Sequence, residues 1–252
     1  MSWLLRTRLL VYTAIIAMHV SNIFYMRWFA KQNPTKNEKV LNFKSLEFRF
    51  FTMWTTFLQC AYTVYALICD YLVLKNSKKK NYKLATALAD FREIVFAGLV
   101  WPSTLVVFTI FWGLYAIDRA LIYPEFLDLV IPAISNHVIH TFILPVALFE
   151  LVFRPRTEPE THARNVAQLT LHLCVYLSVL FFTYRERGVW LYPILGKLYG
   201  TIYFPIGLAL VGAIFYIFYY IQWPLTKMIH GSKDNKAKVQ KVEAKKKIKK
   251  NN

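Results

Sequence analysis

The sequence predicts an all-α, polytopic membrane protein with six transmembrane helices. Three observations carry this. Six apolar runs, at about residues 9–26, 46–74, 94–116, 127–152, 166–184 and 198–223, are each near or above the roughly 20 residues that cross a bilayer. The composition, 56% hydrophobic and 17% aromatic, is too apolar for an ordinary soluble domain of 252 residues. The runs also lack the alternation of transmembrane barrel strands. Residues 1–226 hold the six spans, and residues 227–252 form a lysine-rich tail expected to be disordered.

The elements follow in order. Arg6 and Arg8 precede the first span. It resembles a signal peptide but lacks a small-residue cleavage site, so a retained helix is expected. Residues 28–44 read as a polar connector with Pro34. The second span carries Glu47 and Arg49 near its start and is followed by the basic stretch 75–80. Residues 82–93 are amphipathic and are expected along the membrane surface. The third span ends at Asp118 and Arg119, and Tyr123-Pro124 lead into the fourth. Arg154-Pro155-Arg156 open the next connector, and Arg185-Glu186-Arg187-Gly188 end the fifth span. Trp190, Tyr192 and Pro193 suggest an interfacial re-entry before the sixth span.

An even number of spans puts both termini on one side. The termini and the even-numbered connectors hold roughly twice the basic residues of the other side, which places both termini in the cytosol. The net charge of +17 is concentrated in the tail lysines. No aromatic residues interleave them, so they read as a solvated tail near anionic membrane lipids, with no nucleic-acid partner. The last four residues, Lys249-Lys250-Asn251-Asn252, resemble a dilysine retrieval signal. A multi-pass endomembrane protein of the endoplasmic reticulum is expected, with the plasma membrane as the alternative. Cys60, Cys69 and Cys174 lie in apolar runs and read as core residues. The sequence leaves the oligomeric state open.

One stretch stands out: Asn136-His137-Val138-Ile139-His140-Thr141, inside the fourth apolar run. Ionisable residues at such depth are costly and face the protein interior or a wet cavity. On a helix, Asn136, His137 and His140 can share a face. No cysteine or acidic cluster completes a metal site with the two histidines, and no cofactor is expected. A base for a hydroxyl nucleophile is the alternative, and the second span offers Thr52, Thr55 and Thr56. The competing reading for a helix threonine is a back-bond to the carbonyl one turn earlier. His19 and His172, each alone in a span, read as helix–helix hydrogen-bond partners.

Four blocks carry a family resemblance. They are Phe50-Phe51-Thr52-Met53-Trp54; Phe111 to Arg119 with Leu121-Ile122-Tyr123-Pro124; Asn136 to Thr141 with Leu144-Pro145; and Trp190-Leu191-Tyr192-Pro193. In order and spacing they resemble the androgen-induced protein and androgen-dependent TFPI-regulating protein family of multispan membrane proteins. The resemblance covers most of the six-span core and not the tail. It implies hydrolysis of fatty acid esters of hydroxy fatty acids, with Thr52 as nucleophile and His140 as histidine. Two departures are Val138, where relatives often have glycine, and Phe182-Thr183-Tyr184, where relatives carry histidines.

Physically, a threonine hydroxyl is a weak nucleophile until a base takes its proton, and a neutral imidazole can serve. Thr52 and His140 are expected at roughly 9 Å and 14–20 Å from the same membrane face, at 1.5 Å per residue. Asp118 and Arg119 lie at that end as supporting residues, with Arg119 a candidate for the free carboxylate of a lipid ester. Asn136 and His137 are assigned orienting roles. The rival readings are a non-catalytic membrane regulator or scaffold and, because polarity concentrates at one end, less readily a transporter.

Overall fold

The computed structural model describes residues 3–79 and 82–250, with side chains described as far as Gly231. The lysine-rich tail therefore has most of its side chains, those of the Lys249-Lys250 pair included, outside the described residues, as are Asn251 and Asn252. The described residues are helical with no strand, and six helical stretches are long and apolar enough to cross a membrane. They are Trp3–Gln32, Phe51–Lys75, Thr86–Leu121, Ala133–Phe153, Ala163–Arg187 and Tyr203–Gly231. Their bounds differ from the apolar runs at four places, each with a local cause.

Helix α1 (Trp3–Gln32) continues to the residues just before Pro34. The expected polar connector after it folds into a helix, α2 (Glu38–Leu46), capped by Asn37, whose side chain accepts from Lys39 N at 3.0 Å. Val40 of α2 is fully buried against Phe111, Tyr123 and Leu127, so this segment is a cover and not a tether. The second span starts later than its apolar run. One 3-10 turn, Glu47–Arg49, is followed by Phe50 in extended conformation (φ −72°, ψ 136°), and α3 begins there (Phe51–Lys75).

The third span is longer than expected. Helix α4 (Thr86–Val95) does not lie apart on the membrane surface. It runs on through a π turn, Phe96–Val100, into α5 (Trp101–Asp118). Pro102 explains the turn: it has no N–H, and its ring crowds the carbonyl of Gly98, four residues back. Trp101 N–H accordingly reaches Phe96 O. At Gly98 a Cβ would meet Gln168 Oε1 at 2.9 Å and Asn165 O at 3.3 Å, so the fifth span crosses closely here and a larger residue would have to displace the Gln168 side chain.

The fourth span is broken in two, α6 (Ala133–His140) and α7 (Ile143–Phe153). Pro145 crowds Thr141 O in the same way. The Thr141 and Phe142 N–H groups both donate to His137 O, at 2.7 and 2.9 Å. The fifth span is α8 (Ala163–Arg187), closed by Gly188 at φ 68° with its N–H on Tyr184 O at 2.8 Å. A short α9 (Pro193–Leu198) forms the expected re-entry, and α10 (Tyr203–Lys250) carries the sixth span.

Polarity does not concentrate at one end, contrary to the sequence expectation. At the end bearing the termini, Arg92 is buried between Asp70 (2.8 Å) and Glu150 (3.1 Å). Arg8 also holds Asp70 at 2.7 Å, and the Tyr12 and Tyr62 hydroxyls donate to Glu150. Glu93 pairs with Arg154 at 2.5 Å and Arg156 at 2.8 Å. This network ties α1, α3, α4 and α7 together. It is also why α4 is drawn inward: Arg92 has two buried carboxylates to neutralise, and an unpaired buried charge would cost several kcal/mol.

Candidate functional site

The site forms where α3 begins, at the opposite end from the charge network. Thr52 is the second residue of α3, so the carbonyl one turn earlier lies outside that helix, in the preceding 3-10 turn. The carbonyl four residues back, Phe48 O, accepts the Trp54 indole at 2.9 Å. Thr56, one turn further in, does take the back-bond, to Thr52 O at 2.9 Å. The Thr52 hydroxyl instead meets His140 Nε2 at 3.2 Å. The first turn of α3 also presents the positive end of a helix dipole to that oxygen.

His140 is the last residue of α6, buried, and held on three sides. Its Nδ1 faces only acceptors: Asn136 Oδ1 at 2.7 Å and Asn136 O at 3.1 Å. The backbone carbonyl cannot be turned into a donor, so this side requires the proton on Nδ1 whichever way the Asn136 amide is set. Nε2 is then a bare lone pair directed at Thr52. The imidazole lies flat on Phe111, with ring centroids 3.5 Å apart and planes 10° from parallel. Both helix starts lie further along the chain than the apolar runs suggested, at Phe51 and Ala133, by similar amounts, so the shift leaves their offset nearly unchanged; the packing of α6 against α3 brings the two side chains together.

The other expected site residues separate. Asn136 joins the pair. His137 turns outward, bonds Thr141 Oγ1 at 3.0 Å and stacks on Trp112 at 5.5 Å, so it does not share the buried face with His140. Arg119 is engaged by Asp128 at 2.7 Å and Tyr123 O at 3.2 Å. Asp118 caps the following turn through Ala120 N at 2.9 Å and lies 3.6 Å from Lys197. Neither faces the cavity, because the chain turns away from the bundle after α5. His19 bonds Gln59 Oε1 at 3.2 Å across α1 and α3. His172 packs on Phe51 and Trp54, with no hydrogen-bond partner for its Nε2 among the described residues. Of the divergent trio, Thr183 accepts from Arg49 at 3.1 Å and Tyr184 stacks on Trp190 at 4.3 Å, both away from His140.

Thr52 and His140 open into a cavity of about 450 Å³ between α3, α5, α6, α8 and α10, covered by α2 and α9. Its walls are overwhelmingly apolar, with Val106, Ile110, Leu173, Leu208 and Val211 among them. The polar lining residues are Glu47, Thr52, Tyr123, His140, Tyr176 and Tyr192, and no lysine or arginine is among the described lining residues. Glu47 is paired with Arg27. The described residues bring together no group of three His, Cys, Asp or Glu side chains able to share a metal ion. A hydroxyl against an oriented imidazole, opening into an apolar chamber, suits chemistry at a carbonyl of a lipid-like substrate.

Sequence reasoning missed three residues here. Phe111 was one letter of a recognisable block and is the platform for the imidazole. Tyr176 and Tyr192, 16 residues apart, meet at 2.8 Å, and both hydroxyls accept from Phe51 N, at 3.0 and 2.9 Å. Tyr192 stood in a recognisable block and read as an interfacial residue, whereas among 16 tyrosines in an apolar chain nothing in the sequence marked Tyr176 or paired the two.

Comparison with known proteins adds to this geometry. The pattern of the FAR-17a/AIG1-like protein family matches residues 9–223. The androgen-dependent TFPI-regulating protein of Homo sapiens is 38% identical over 151 residues, covering 60% of this chain and 63% of its own length. The Rattus norvegicus protein of that name is 31% identical over 178 residues, 69% of this chain and 74% of the relative. The androgen-induced gene 1 protein of Homo sapiens is 34% identical over 112 residues, 43% of this chain and 45% of the relative. This chain thus spans less than two thirds of the length of the human relatives it matches. No solved structure matches it.

Proposed function

This chain belongs to the FAR-17a/AIG1-like family, and we propose that it is an integral-membrane hydrolase that cleaves fatty acid esters of hydroxy fatty acids through Thr52 and His140. The observation that carries the reading is the 3.2 Å approach of Thr52 Oγ1 to an imidazole whose other nitrogen faces only acceptors. That is the relation of nucleophile, base and orienting group found in other hydroxyl–histidine pairs.

His140 Nε2 removes the Thr52 proton as Oγ1 attacks the ester carbonyl carbon. The tetrahedral intermediate collapses, the C–O bond to the secondary alcohol breaks, and His140 returns the proton to the departing oxygen. The acyl group is left on Thr52. Water then attacks that ester, giving its proton to the same nitrogen, and Thr52 leaves as the restored hydroxyl with a free fatty acid. General acid–base assistance of this kind contributes about 10²–10⁴ in rate.

The chamber supports an apolar substrate with two acyl arms. Both α8 and α10 line it and also present many exposed apolar residues, such as Leu171 and Leu210, to the bilayer, so an ester can enter from the membrane. With both termini in the cytosol, Thr52 lies in the half of the bilayer away from it. Endoplasmic-reticulum membranes are the proposed location.

The experiment uses purified protein in nanodiscs with an acyl-branched lipid ester. Thr52→Ala, His140→Ala and the double variant fall to nearly the same residual turnover, because the two act as one unit. His137→Ala stays within about threefold of wild type, since its ring lies outside the site and acid–base effects reach only groups in contact with the reacting atoms. Full turnover by well-folded Thr52→Ala would place the nucleophile elsewhere.

A further inference from the structure

We propose that the phenol pair Tyr176–Tyr192 supplies the hydrogen-bond donor that receives the ester carbonyl oxygen as Thr52 attacks it, together with the N–H of Thr52. The proposal rests on the hydrolase reading given above and adds the oxyanion site that the reaction needs.

The argument is a count of protons. Three donors meet at the start of α3: the Phe51 N–H and the two phenol O–H groups. Phe51 N lies 3.0 Å from Tyr176 O and 2.9 Å from Tyr192 O, so its one hydrogen is shared between them. The phenol oxygens are 2.8 Å apart, so one O–H donates to the other. The second O–H has no protein acceptor among the described residues. Both tyrosines line the same chamber as Thr52 and His140, which leaves that proton facing the substrate space.

Position and rigidity support the assignment. Phe51 immediately precedes Thr52, so the phenols sit beside the nucleophile's own turn. Tyr176 packs on Phe51 at 4.6 Å and Trp54 at 5.4 Å, and Tyr192 meets Phe50 edge-on at 5.6 Å. The Thr52 N–H, in the first helical turn, donates to no described residue, as expected where helical N–H groups lack partners. Two donors held rigidly where negative charge develops, in an apolar chamber, are what an acyl-transfer intermediate requires. Nothing else lining the chamber does this: Tyr123 O–H is committed to Ile131 O at 3.2 Å, and Glu47 is an acceptor.

Tyr176→Phe, Tyr192→Phe and the double variant test this on purified protein in nanodiscs, beside wild type and Thr52→Ala. The double variant is expected to lose on the order of 10²–10³ in kcat, with KM within about threefold. Its affinity for a long-chain alkyl boronic acid, which forms a tetrahedral adduct on Thr52, should fall on the order of 100-fold, while affinity for the fatty acid product is unchanged. A mere helix cap would not separate these two ligands. One single variant, that of the phenol facing the substrate, should show the same split, and it carries the test should the double variant not fold. Wild-type kcat and boronate affinity in all three, with Thr52→Ala inactive, overturn the phenol assignment alone. Full turnover by Thr52→Ala overturns Thr52 as the nucleophile, and this proposal with it.

Discussion

Asn136 Oδ1 lies 2.7 Å from His140 Nδ1, one helical turn away in the same short helix. The Asn136 backbone carbonyl sits behind it at 3.1 Å. The imidazole and the group that orients it thus come from one element, and their geometry is set by helical periodicity. A triad usually assembles this contact from separate loops.

That arrangement predicts a limited loss on removing the Asn136 side chain. Asn136→Ala leaves the backbone carbonyl to hold the Nδ1 proton, so the tautomer survives while the ring loosens. Turnover should fall about 10- to 100-fold, less than for His140→Ala, with KM little changed. Steady-state kinetics on the lipid ester check this. A loss as large as that of His140→Ala would show that the side chain alone sets the tautomer.

The walls of the chamber predict a change in chain-length preference. Leu208, Val211, Gly212 and Phe215 form one face of α10, and all line the cavity. A Cβ built on Gly212 meets nothing within 4 Å. Gly212→Leu therefore grows into the space that an acyl arm would fill. Against long-chain esters kcat/KM should fall about tenfold or more, while short-chain esters are spared, since a few methylene groups are worth about 1–3 kcal/mol in an apolar pocket. A series of esters of increasing acyl length measures it.

The charge network at the other end predicts a stability effect without a catalytic one. Arg92→Leu leaves Glu150 and Asp70 each short of a partner in a buried setting. The loss should be about 3–5 kcal/mol, whereas Arg92→Leu with Glu150→Gln should recover much of it. Thermal unfolding in detergent reports the first quantity. Turnover per folded molecule reports the second, and it should match wild type because the site lies at the far end of the bundle.

The number of spans was legible because bilayer thickness sets a length that composition alone satisfies. His140 was legible because an imidazole in an apolar run is costly without a use. The helix breaks were written in Pro102 and Pro145, each four residues beyond the carbonyl it displaces, but no apolar run records them. Asp70 was the missed signal for the charge network: a carboxylate inside an apolar run demands a cation, and Arg92 had been placed on a surface helix. Phe111 and Tyr192 fell within recognisable blocks and Tyr176 did not, but nothing in the sequence assigned any of the three a role at the site. Their roles depend on which side chains four different helices bring together.

The most direct measurement is the position of a covalent adduct. Purified protein in nanodiscs is treated with a long-chain alkyl fluorophosphonate, and the modified residue is located by peptide mass spectrometry. The account predicts an adduct on Thr52, absent in Thr52→Ala and formed on the order of 100-fold more slowly in His140→Ala. An adduct on another residue, or labelling undiminished in Thr52→Ala, would contradict it.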